Sequence, residues 1–102
     1  MNIKEIQKLA YDNKVKKGFN IDNIEMEFCY LYGEIAEAYE AYLRKKEDLG
    51  EELADVAIYL MGLSEILGID LQKEIELKIE KNKNRVYKVE NKVATRISEN
   101  KK

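Results

Sequence analysis

"GEIAEAYEAYLRKKEDLGEELADVAIYL", Gly33 to Leu60, places apolar residues at helical spacing on both sides of a short charged break. Ile35, Ala38 and Tyr42 precede the break, and Leu53, Val56 and Leu60 follow it. Each set recurs every three or four residues, the period of an amphipathic helix and not the alternation of a strand. Consecutive helices joined by so short a connection pack antiparallel. The same stretch holds two matched acidic spacings, Glu34-x-x-Glu37 and Glu52-x-x-Asp55. Four acids on two core-forming helices are either solvated charge or the oxygen cage of a divalent metal.

Working outward, glycine punctuates the rest. Ile3, Ile6, Leu9 and Ala10 predict a first helix over Ile3 to Lys17, stopped by Gly18. Asp22 or Asn23 caps a second, running to about Lys45, with Ile24, Phe28, Leu31, Ile35, Ala38 and Tyr42 as its apolar stripe. The third runs from near Asp48 to Leu67 and stops at Gly68. Asp70 caps a fourth, from Leu71 to at least Tyr87. Val89, Val93 and Ile97 keep helical spacing in the charged tail, 88–102, which reads as a helical extension or a frayed end. The fold class is all-α, an antiparallel four-helix bundle in a domain spanning residues 1–87. The third helix is apolar almost all round, so part of its cover is expected from another subunit, in a homodimer or a dimer of dimers.

Composition narrows the function. The chain has 102 residues, 37% of them charged, and a net charge of −2, which gives no basic field for nucleic acid. Its basic residues alternate with acids, and no aromatic–basic stripe appears, so a nucleic-acid-binding role is not expected. The opening "MNIKEIQKLAYDNK" is charged throughout, unlike a secretion signal. The most apolar run, "LADVAIYLMGLSEILGI", is too short and too polar to span a bilayer, and a cytoplasmic protein is expected. Cys29 is the single cysteine, and with no histidine in the chain nothing of that kind activates it.

Helical projection sharpens the question of the acids. On the second helix, Glu34 and Glu37 fall about 80° and about 140° to one side of the apolar stripe. Glu52 and Asp55 take about the same two offsets, in the same sense, on the third. A local two-fold between antiparallel neighbours preserves that sense, so both pairs converge on one side of the hairpin. Converging carboxylates repel and raise each other's pKa unless a cation sits among them. With no histidine and one cysteine, all-oxygen ligation suits Mg²⁺ or Mn²⁺. Glu25, Glu27 and the pair Glu76 and Glu80 count as background acids of a charged chain. On the fourth helix, Lys78, Asn82 and Arg85 share a face, and Asn82 interrupts an apolar stripe of Ile75, Ile79 and Val86, where it needs a buried partner. Lysine and arginine facing metal-holding acids describe a site for a phosphate chain.

"LYGEIAEAYEAY", "EELADVAIYLMGLSEILGIDL" and "KIEKNKNR" together resemble the MazG-like all-α nucleotide pyrophosphohydrolases, over about Ile3 to Tyr87. That resemblance implies Mg²⁺-dependent hydrolysis of a nucleoside triphosphate to the monophosphate and pyrophosphate. It implies metal binding by Glu34, Glu37, Glu52 and Asp55, with the general base among those acids. It also implies phosphate contacts from Lys78, Asn82 and Arg85, and a pocket-lining place for Tyr59. Many relatives stack a tryptophan on the base; this chain has none, and Tyr11 or Phe19 is the expected substitute. The competing readings are a specialised dCTP/dUTP or phosphoribosyl-ATP pyrophosphohydrolase, and a non-catalytic helical interaction protein.

Overall fold

A computed structural model describes residues 1–90 and 93–99. Four helices come in chain order: α1 Ile3–Lys17, α2 Ile24–Leu43, α3 Leu49–Ile66 and α4 Leu71–Lys83. Two strands follow, β1 Arg85–Glu90 and β2 Val93–Glu99, paired antiparallel. The chain forms two compact units, Met1–Gln72 and Lys73–Lys102.

In the first unit α3 packs against both α1 and α2. Asn23 begins α2 by accepting a hydrogen bond from Met26 N–H at 3.1 Å, which satisfies one of the orphan donors of the first turn. The first three helices all end through the same device: an N–H reaches back five residues. Phe19 donates to the Lys14 carbonyl, Lys46 to Ala41 and Ile69 to Ser64, each at 2.9 Å. This closure requires a left-handed residue. Gly18 (φ 72°) and Gly68 (φ 69°) supply it without strain, whereas Lys45 adopts it with a side chain (φ 54°).

The seam of α2 differs from the expected stripe. Its buried residues are Glu27, Ala38 and Ala41, with Glu34 half-buried between them. Phe28, Ile35 and Tyr42, three members of the stripe, are 45%, 48% and 63% exposed. Small alanines let helix backbones approach closely, so neighbouring helices take that side, and the bulkier row faces outward. Leu63 of α3 is nearly fully buried, while Leu53, Ile58 and Leu60 of the same helix are exposed.

The tail corrects a second expectation. The fourth helix does not reach Tyr87; it stops at Lys83, and 85–90 and 93–99 are strands, not a helical extension. A spacing of four residues, as in Val89, Val93 and Ile97, keeps side chains on one face in a helix and also in a strand, whose period is two. Val86, Val89, Val93, Thr95 and Ile97 are all β-branched, and that stiffness at χ1 favours the pleated backbone. Register runs from Glu90↔Val93 outward to Arg85↔Glu99, with an irregularity between Val86 and Tyr87.

Candidate metal centre

Glu34 and Glu37 lie one turn apart on α2, and Glu52 lies in the first turn of α3. One carboxylate oxygen from each falls within 4.8 Å of the others. Asp55, one turn further along α3, is exposed and outside that triad. It still shares a hollow of about 270 Å³ with Glu34 and Tyr59.

The acids meet because Glu34 sits on the buried seam of α2. The consequence is electrostatic. Burial pushes the Glu34 carboxyl above its ordinary value, and the charges of Glu37, Asp55 and Glu52 push it the same way. Glu52 is raised too, by desolvation first and then by Asp48, Glu37, Asp55 and Glu51. One oxygen of Glu34 and one of Glu52 (Oε2 in each) are buried with no hydrogen-bond partner among the described residues. A buried carboxylate oxygen left unpaired costs free energy that a cation or a proton recovers. The donor set is oxygen only, which fits Mg²⁺ or Mn²⁺ and not a site built on imidazole or thiolate.

A cavity of about 470 Å³ opens beside Glu34 and Glu37. Tyr59 lines it, as do Lys14, Asn20 and Glu27, three residues the sequence reading did not single out. Glu27 is fully buried. Its Oε1 accepts from Lys14 Nζ at 2.5 Å, and its Oε2 accepts from Asn20 Nδ2 at 3.1 Å and Tyr59 Oη at 3.3 Å. The Lys14 ammonium also lies 4.1 Å from the centre of the Tyr59 ring. Tyr30 meets that ring edge-on, with centroids 6.3 Å apart. Burial and the neighbouring Glu27 carboxylate push the Tyr59 phenol far up, so it stays protonated and able to donate. Glu27 had looked like background charge. The signal that marks it is its place seven residues before Glu34 and fourteen before Ala41, on one helical seam. Phe19 lines the same cavity, and Tyr11 is not among its lining residues.

In the second unit, Lys78 and Asn82 stand on α4, but Arg85 is the first residue of β1. The helical face expected for all three is therefore broken after Lys83. Asn82 is exposed instead of buried, and its Oδ1 accepts from Arg85 Nη1 at 3.1 Å.

The profile of the MazG-like family matches residues 17–99. The match begins at the end of α1, later than Ile3, and runs past Tyr87 through both strands. No curated protein and no solved structure matches the chain significantly. Among the described residues, no helix is long and apolar enough to cross a membrane.

Proposed function

The chain belongs to the MazG-like family, and from that premise we propose that it is a nucleotide pyrophosphohydrolase, cleaving a nucleoside triphosphate to the monophosphate and pyrophosphate. The family is generally one of pyrophosphohydrolases that use a divalent metal. The observation that carries the reading is the triad of Glu34, Glu37 and Glu52, with a buried oxygen on Glu34 and another on Glu52 that have no hydrogen-bond partner among the described residues. Glu34, Glu37, Glu52 and Asp55 would hold Mg²⁺, or Mn²⁺ in its place. When bound, the cation neutralises the triphosphate, polarises the attacked phosphorus and lowers the pKa of the attacking water.

The protein's own groups supply position and charge. Lys78 and Arg85 provide charge-assisted hydrogen bonds to phosphate oxygens, and Asn82 holds the Arg85 guanidinium. A carboxylate of the acid set orients the water. Tyr59 forms a wall of the substrate cavity, kept as a neutral phenol by burial and by Glu27. We place the protein in the cytoplasm, where its nucleotide substrate is found.

Assembly belongs to the same proposal. Ile35, Tyr39, Tyr42, Leu53 and Val56 line an almost wholly apolar hollow of about 340 Å³ on α2 and α3. Tyr39, Tyr42 and Leu53 are each more than half exposed there. A symmetric dimer, or a dimer of dimers, covers that surface.

The test is pyrophosphate release over a panel of nucleoside triphosphates, with and without Mg²⁺, by wild type, Glu52→Gln and Asp55→Asn. Release that needs both the metal and the two acids supports the proposal. The panel also separates a general activity from a dCTP/dUTP or phosphoribosyl-ATP enzyme. Absence of release together with no saturable Mn²⁺ site would instead favour a helical interaction protein.

A further inference from the structure

Lys14, the buried partner of Glu27, has no role in the reading above. Such a pair is poor evidence for stability, because desolvating two charges costs about as much as their attraction returns. Its placement suggests a different use. Lys14 and Glu27 line the cavity that Glu34 and Glu37 also border, with Phe19 and Tyr59 as its aromatic walls. The Lys14 stem is held closely: a Cβ added at Gly62 would stand 3.2 Å from Lys14 Cε. A flexible side chain is thereby fixed in one direction.

The hydrogen-bond inventory of this wall is one-sided. An ammonium has three protons to donate. Among the described residues one goes to Glu27 Oε1, and Nζ also lies over the Tyr59 ring. The acceptors, by contrast, are occupied. Glu27 Oε2 already receives Asn20 and Tyr59, and Asn20 Oδ1 receives the Asn23 backbone N–H at 3.1 Å. Beside Lys14 the cavity thus has a fixed cationic donor to spare, while its open acceptors lie on Glu34 and Glu37, the acids of the metal triad. That donor suits a ligand edge that bears oxygen and penalises one that bears an amino group.

Resting on the nucleotide reading above, we propose that Lys14 selects the base: its ammonium donates to a ring carbonyl, so the pocket prefers uracil and 6-oxopurines to adenine. Glu27 is then a positioning residue. It holds Lys14 aimed while taking no part in the ligand contact itself. Phe19, 55% exposed, offers an aromatic surface for the ring.

AMP and IMP make the sharpest probe, since they differ at the purine C6 group, amino in one and carbonyl in the other. NMR titration of the intact, metal-free protein with AMP, IMP and UMP separates base recognition from catalysis. IMP and UMP should bind about ten- to a hundred-fold more tightly than AMP, the usual scale for a hydrogen bond to a charged group. The double variant Lys14→Met/Glu27→Gln removes both charges and leaves neither stranded, so its melting temperature should stay near wild type while the preference disappears. Equal binding of AMP and IMP by the wild-type protein, or no binding of any of the three, overturns the proposal with no variant needed. A preference that survives in a folded double variant overturns it as well. Metal-dependent hydrolysis of all nucleotides without base preference would sink this inference and leave the pyrophosphohydrolase reading standing.

Discussion

Replacing Glu34 by glutamine should raise the stability of the metal-free protein and lower that of the metal-bound one. Glu34 has two carboxylate neighbours whose oxygens lie within 4.8 Å. At that separation two unit charges repel by about 0.9 kcal/mol in water and about 3.5 kcal/mol at an effective dielectric of 20. The cluster is only half-buried and is screened by solvent, so the watery end of that range applies. Relief of both pairs then amounts to about 1–2 kcal/mol, and the new amide can donate to Glu37. For a domain of this size about 1 kcal/mol moves the melting temperature by roughly 4–8 °C. Metal reverses the ranking. A ligand at a hundred times its Kd adds about 2.7 kcal/mol to the wild type, and a variant lacking one carboxylate forfeits most of that. Calorimetric melts of both proteins, with chelator and with saturating Mn²⁺, should therefore cross. A lower melting temperature for metal-free Glu34→Gln, or an unchanged Mn²⁺ shift, would refute the argument from charge crowding.

pH supplies a companion test. Because the Glu34 and Glu52 carboxyls are raised above 4.5 in the fold, their contribution is fully present below 4.5 and is lost as pH climbs through the raised values. The advantage of metal-free Glu34→Gln should accordingly appear near neutral pH and vanish in acid, as followed by urea melts across pH. Lys78→Ala and Arg85→Ala should each weaken triphosphate binding about ten- to a hundred-fold while sparing Mn²⁺ affinity, as read by titration calorimetry. An equal loss of metal affinity would assign these residues another role. Lys45→Gly should stabilise the protein by about 0.5–1 kcal/mol, since glycine occupies the left-handed closure of α2 without strain. Light scattering should return at least twice the chain mass of 12.0 kDa, and Tyr42→Arg should reduce it. A wild-type monomer with full activity would remove the assembly from the proposal.

Much of the first unit is legible in the residues alone. Gly18 and Gly68 end their helices as their backbone freedom suggests, and Asn23 caps α2. Equal angular offsets bring Glu34, Glu37 and Glu52 together, because that argument depends only on helix geometry. The angle is cruder than the distance, however, and Asp55 lies outside the triad. What the pattern misreads is which side of α2 meets its neighbours. Hydropathy favours Phe28, Ile35 and Tyr42, but close approach favours Ala38 and Ala41, and the acidic residues Glu27 and Glu34 travel with them. A buried lysine such as Lys14 is invisible to hydropathy, since its partner arrives from another helix. The tail was ambiguous for a different reason: its four-residue spacing satisfies helix and strand alike, and only its β-branched residues tip the balance.

Cys29 gives the cavity a reporter of its own. It is an exposed free thiol and lines the same hollow as Glu34, Glu37 and Lys14. As the single cysteine of the chain, it takes any thiol-directed label at one defined place, with no engineering. Its alkylation rate thus becomes a clock for occupancy, slowing when a ligand fills the hollow and unaffected by molecules that bind elsewhere. A bulky adduct at that position would in turn stand where the ligand stands. The same atom that reports on the pocket offers a covalent way to close it.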